Sequence, residues 1–186
     1  MIWLLLACGE APQEMVVPNS SNMSDYTAFN EGMSWTYRNQ GWNYDDPDLL
    51  LDSTLVLAQH QGDGLIEFRR GVSWNEGVTF GRMQFDMTDG GLALTEWQIP
   101  GLNGNGWYPF SDAEIVDGNV SEGDWTCTTT KPEEGAETYY AFYSSVVVFQ
   151  CEGAGLESEW VFATGLGLVQ MMTPEGSIGL ELVAPW

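Results

Sequence analysis

The sequence predicts an all-β protein, an antiparallel meander of about ten strands curled into a barrel or half-barrel. Three observations carry that prediction. From Met33 onward apolar and polar residues alternate with a period of two, the spacing that sends successive side chains to opposite faces of a strand. Glycine-bearing turn signals recur between the alternating runs. No segment carries the periodicity of an amphipathic helix.

The elements follow in order. Trp35 and Tyr37 alternate with Ser34, Thr36 and Arg38, and Leu51, Leu55 and Leu57 with Thr54, Val56 and Ala58. Leu65–Phe68, Val78–Phe85 and Leu92–Trp97 continue the series. The second half supplies Tyr139–Gln150, Glu159–Phe162, Leu166–Met172 and Ser177–Val183. Turns are expected at Gln61-Gly62-Asp63-Gly64, Asp89-Gly90-Gly91, Asp117-Gly118-Asn119 and Pro174-Glu175-Gly176. Glu31-Gly32-Met33-Ser34-Trp35 resembles Glu122-Gly123-Asp124-Trp125, as if each were a turn entering a strand led by an inward tryptophan.

Composition bounds the function. With 186 residues, 44% of them hydrophobic and 13% aromatic, the chain has material for one packed domain. Acids outnumber bases 27 to 5, giving a net charge of -22. Such a surface repels phosphate backbones, so nucleic acid is excluded as a partner, and no basic patch exists to hold anionic lipid. The acids are spread along the chain and read as a solubilising surface, with divalent cations on acidic loops as the functional alternative.

The N-terminus gives an address. Apolar residues run into Leu5-Leu6-Ala7-Cys8, which resembles the lipobox of bacterial lipoprotein signal peptides. That resemblance implies a diacylglyceryl group on the Cys8 thiol and cleavage before it, with small Ala7 admitting the peptidase. Nothing basic precedes Cys8 and the apolar stretch is short, so either the true start codon lies upstream of Met1 or the match is a coincidence in a cytosolic protein, the run being a buried first strand; the lipobox is the favoured reading. Residues 1–7 are then a signal-peptide remnant, 8–25 the lipidated cysteine and a Pro- and Ser-rich tether, and 26–186 a single β-domain. Gly9 stands where an inner-membrane retention Asp would lie, which favours the outer membrane, at its periplasmic face or the cell surface. With Cys8 lipidated, Cys127 and Cys151 remain, an even pair that suits a disulfide in an oxidising compartment, with two buried free thiols as the alternative.

Tyr26-x-x-Phe29-x-x-Gly32-x-x-Trp35-x-Tyr37, Gly123-Asp124-Trp125, Cys151, and Gly165-Leu166-Gly167-Leu168-Val169 together resemble a group of uncharacterised bacterial lipoproteins. The likeness spans most of residues 26–186, although Asn30-Glu31 stands where that group carries Pro-Leu. It implies a secreted β-domain of unassigned activity.

Chemistry is sparse. The single histidine, His60, sits beside Gln61-Gly62 and reads as an exposed turn residue; no Gly-x-Ser-x-Gly elbow accompanies it, and one histidine does not make a zinc site. With 27 acids some carboxylate pair is always close, so pairing carries no signal for a glycosidase. Asp45, Asp46 and Asp48, with Asp52, form the densest oxygen cluster, a weak Ca²⁺ candidate without the EF-hand spacing. Trp42 and Tyr44, and Trp107, Tyr108 and Phe110, lie in loop-like, Gly-rich surroundings. There they either plug the ends of the barrel or stack on a ligand, with Trp42, Trp107 and Tyr108 the binding candidates. The reading is a lipid-anchored cell-envelope domain with a binding or interaction role towards an envelope protein or glycan, no cofactor and no catalysis. The alternatives are a carrier or sensor of an apolar ligand and a carbohydrate-binding module.

Overall fold

The computed structural model describes residues 20–27, 31–39, 55–71, 73–87, 91–99, 102–111, 114–116, 118–122, 125–138, 141–153, 156–172 and 179–185. The first half of the chain gives β1 (Ser34–Asn39), β2 (Leu55–His60), β3 (Leu65–Arg70), β4 (Val78–Asp86), β5 (Leu92–Ile99) and β6 (Leu102–Ser111). The second gives β7 (Gly118–Glu122), β8 (Trp125–Thr130), β9 (Ala136–Glu137), β10 (Phe142–Tyr143), β11 (Val146–Gly153), β12 (Leu156–Ala163), β13 (Gly167–Met172) and β14 (Gly179–Pro185). A short 3₁₀ turn at Met23–Asp25 precedes them.

Twelve strands form one antiparallel sheet in the order β6-β5-β4-β3-β2-β1-β14-β13-β12-β11-β8-β7, and β9 and β10 form a separate small hairpin. The all-β antiparallel class expected from the alternation is therefore present, with more strands than the ten expected. The extra ones come from residues that do not alternate. Gly-rich 102–106 lies in β6, and Gly118-Asn119 opens β7 instead of making a turn. Both are end strands, paired on one side only, where the demand for packed side chains is weakest.

The first and last parts of the described chain meet at the centre of the sheet, where β1 pairs with β14, so the meander has two halves. Their inner faces pack together. The Phe110 ring of β6 lies 5.1 Å from Phe149, 5.3 Å from Trp160 and 5.8 Å from Phe162 across the interior. Phe85 meets Phe162 edge-on, and Trp97 meets Trp125 at 5.8 Å. Edge-to-face geometry suits the ring quadrupoles and adds to the area buried. The end strand β6 is held towards the opposite half where the buried Thr129 hydroxyl of β8 donates to the Phe110 carbonyl at 3.3 Å.

Two tryptophan-led strands behave as the sequence comparison within the chain suggested, since Trp35 and Trp125 are both buried in the core. Trp35 Nε1 donates to the Leu166 carbonyl (2.8 Å) and the Tyr37 hydroxyl to that of Leu168 (2.7 Å). The opening Gly-x-x-Trp-x-Tyr thus closes against the late Gly-Leu-Gly-Leu-Val.

Packing reaches upstream of Tyr26, the expected start of the domain. Met23 and Tyr26 are fully buried. The Asp25 carbonyl accepts from Gly165 N–H at 2.7 Å, and the Ser21 carbonyl from Ile115 N–H at 2.8 Å. The Tyr26 hydroxyl contacts Ser145 Oγ, and Lys131 Nζ donates to the Ser20 carbonyl. Residues 20–27 are a strap across one end of the sheet, so a tether upstream of it would end by Ser20 and not at Asp25.

Candidate functional site

The strand ends on the strap side carry a cleft. His60 closes β2, Asp63 and Gly64 form the turn into β3, and Gln84, Phe85 and Asp86 end β4. With Met87 and Thr95 they line an open depression of about 580 Å³. That volume lies within the range of small-molecule sites.

Local sequence explains the floor. Inward positions of β2 are Val56, Ala58 and His60, so the same alternation that buries the valine carries the imidazole inward, and His60 is 5% exposed. The expectation of an exposed turn histidine is corrected here: the strand runs through His60 before the turn begins. Its Nε2 accepts from Gly64 N–H at 3.1 Å, which places the proton of the neutral ring on Nδ1. Gly64 has φ +75°, and a Cβ there would lie 2.1 Å from the Phe85 carbonyl oxygen, so only glycine fits. The Gly64 carbonyl accepts from Phe85 N–H at 2.9 Å, and Gln84 Nε2 donates to the Asp63 carbonyl at 2.6 Å. Asp63 itself takes a left-handed φ of 47°, which Asp tolerates better than most residues. The turn is therefore locked to β4 by two hydrogen bonds and back to the end of β2 by a third.

Among the described residues, the cleft's charged side chains are the carboxylates of Asp63, exposed, and Asp86, half-buried. Met87, 37% exposed, supplies an apolar wall. Sequence reasoning missed the cleft because its parts come from three strand ends; the one available signal was the Gly-Asp-Gly turn directly after the only histidine.

Cys127 and Cys151 stand opposite each other in the β8–β11 ladder, both buried, with sulfurs bonded at 2.04 Å. The hairpin expected between them is β9–β10. Trp107 and Tyr108 are corrected from loop to strand, since their backbone lies in β6, with Tyr108 opposite Leu94. The side chains of Trp107 and Tyr108, and all of Cys8, Trp42, Tyr44, Asp45, Asp46, Asp48 and Asp52, lie outside the described residues. Among the described residues no three His, Cys, Asp or Glu side chains are grouped to hold a metal ion. No described helix is long and apolar enough to cross a membrane, which says nothing of spanning strands.

Two tyrosines are perturbed. Burial drives the Tyr37 phenol far above its ordinary range, and Tyr143 adds to the effect. Tyr143 is itself raised by burial and then by the Glu181 carboxylate, against a smaller opposing hydrogen bond from Thr138. Both hydroxyls are thereby held protonated, as the Tyr37 bond to Leu168 requires.

Comparison of the chain with protein-family models, curated proteins and solved structures gives no match.

Proposed function

We propose that this protein is a lipid-anchored bacterial envelope domain, tethered through Cys8, that works by binding and not by catalysis. The observation that carries the reading is the buried Cys127–Cys151 pair. Disulfides persist in oxidising compartments outside the cytoplasm. Pairing these two leaves Cys8, in its Leu5-Leu6-Ala7-Cys8 setting, as the remaining cysteine of three, the one the lipobox resemblance assigns to a lipid. The short motifs shared with uncharacterised bacterial lipoproteins support the same address, at the outer membrane.

A binding role is favoured over catalysis because the one histidine is buried with Nε2 committed to the Gly64 N–H, which removes it as a general base. It is favoured over transport of an apolar ligand because aromatic rings occupy the space between the two halves. The sheet in this reading is a curled half-barrel whose end strands approach without a ladder, supported by the Thr129–Phe110 contact. The binding surface is the cleft beside His60.

Expression from the native locus, followed by mass spectrometry of the mature N-terminus, tests the anchor. Acylated Cys8 at the new terminus is expected, with Cys8→Ser released from the membrane fraction. An intact, unacylated Met1–Cys8 segment on mature protein would end the reading.

A further inference from the structure

We propose that residues 20–27 are a latch on the β9–β10 hairpin, so that lifting the strap opens the hairpin and disturbing the hairpin loosens the strap. The described strands of the hairpin share no ladder with the twelve-stranded sheet. A lone two-stranded hairpin is marginally stable in water, so this one is held by more than its own bonds. Part of the hold is packing. Tyr143 and Thr138 are buried, and Ala136 and Ala141 pack against the core. Tyr143 lies near enough to Tyr37 of β1 and Glu181 of β14 for charge to act between them, which brings the hairpin to the strands where the two halves meet.

The rest of the hold is the strap, which clasps both roots of the hairpin. At the root that leaves β8, Lys131 Nζ donates to the Ser20 carbonyl. At the root that enters β11, Ser145 Oγ lies 3.2 Å from the Tyr26 hydroxyl and 2.8 Å from Thr164 Oγ1. The two clasps are one unit, because the Tyr26 hydroxyl donates to the same Ser20 carbonyl at 3.0 Å. A phenol has one proton to give, so Tyr26 accepts from Ser145, and Thr164, Ser145 and Tyr26 form a chain of hydroxyls ending at Ser20. Linked bonds of this kind strengthen one another and are lost together. Gly165 N–H to the Asp25 carbonyl and Ile115 N–H to that of Ser21 seat the strap from outside the hairpin. Under the anchored reading, a pull on the terminus enters the domain at Ser20, where both clasps converge.

The competing account is that the strap braces the whole domain, and the experiment separates the two. Hydroxyl-radical footprinting of the full chain reads three buried side chains: Met23 for the strap, Tyr143 for the hairpin and Tyr37 for the core. Tyr26→Phe keeps the ring and removes the hydroxyl that joins the clasps, so Tyr143 is expected to oxidise about tenfold faster while Tyr37 is unchanged. Gly135→Ala disturbs the hairpin alone, since Gly135 has φ +75° and the added methyl would lie 2.2 Å from the Tyr143 carbonyl oxygen. Coupling is reciprocal, so Met23 should then oxidise faster together with Tyr143. An unchanged Tyr143 in Tyr26→Phe overturns the latch, as does a faster Tyr143 with an unchanged Met23 in Gly135→Ala. A rise in Tyr37 alongside Tyr143 in Tyr26→Phe overturns it in favour of a general brace. The contacts of the latch do not depend on the lipid, and the anchored reading is tested separately by Cys8 acylation.

Discussion

Reducing the Cys127–Cys151 bond has a cost that follows from the fold. The two cysteines are 24 residues apart in sequence. Cross-linking such a loop removes denatured-state entropy worth about 3.5 kcal/mol at room temperature by the chain-entropy relation. In a domain of this size that is a loss of about 7–14 °C in Tm. The pairing is a direct cross-strand one between β8 and β11, and both residues are buried. Reductant therefore reaches the sulfurs only through opening, so reduction is carried out in denaturant before refolding. The assay is urea denaturation of oxidised protein, reduced wild type and Cys127→Ala/Cys151→Ala. Reduced wild type keeps both sulfurs in the core and isolates the effect of the cross-link, whereas the alanine pair adds the loss of two packed atoms and should fall lower still. Equal midpoints for oxidised and reduced wild type would refute the reasoning, because they would mean that the link does not constrain the unfolded chain.

Gly64→Ala should cost about 2–4 kcal/mol in urea denaturation, since its methyl would meet the Phe85 carbonyl at 2.1 Å on a left-handed backbone; an effect below that range would mean the turn shifts freely. Because burial raises the folded-state phenols of Tyr37 and Tyr143, the folded chain keeps protons that the unfolded chain loses. Stability from these groups is full below about pH 10 and declines as pH climbs above it; Tyr37→Phe should flatten that alkaline decline in a denaturation series across pH. Raising salt from about 0.01 to about 0.15 M shortens the Debye length from about 30 to about 8 Å. Self-repulsion of a chain at -22 should then relax and the urea midpoint should rise, and an unchanged midpoint would mean that the carboxylates are already compensated.

The fold class was legible because half-buried strands write their geometry in period two. Ile66 and Phe68 are buried on either side of half-buried Glu67, and Trp125 and Cys127 on either side of half-buried Thr126. The misses share a cause. Gly-Asn repeats at 102–106 and the polar run at 118–122 are strands by virtue of a neighbour, through the ladders of β5 and β8, and nothing in their own side chains announces it. His60 was misplaced because a turn signal one residue later outweighed the inward position that Val56 and Ala58 had already set. The cleft was invisible for a stronger reason: the carbonyl that fixes Gly64 belongs to Phe85, two strands' worth of sequence away.

One long-range feature was legible without being interpretable. The short motifs around Trp35 and Leu168 lie at opposite ends of the domain, and each taken alone is only a turn entering a strand. The hydrogen bonds Trp35–Leu166 and Tyr37–Leu168 span 131 residues of sequence and supply a physical reason for the two to occur together. Two large amphipathic side chains in the core need acceptors for their single donors. The carbonyls they find lie in a Gly-x-Gly turn (Leu166) and in the start of β13 just after it (Leu168), where Gly165 at φ +73° and Gly167 at φ +82° let the chain reverse. The same Gly165 donates its N–H to Asp25, so the strap, the first strand and the β12–β13 turn are tied at one corner. A substitution at Gly165 would then disturb both ends of the domain together, which no reading of either motif by itself would suggest.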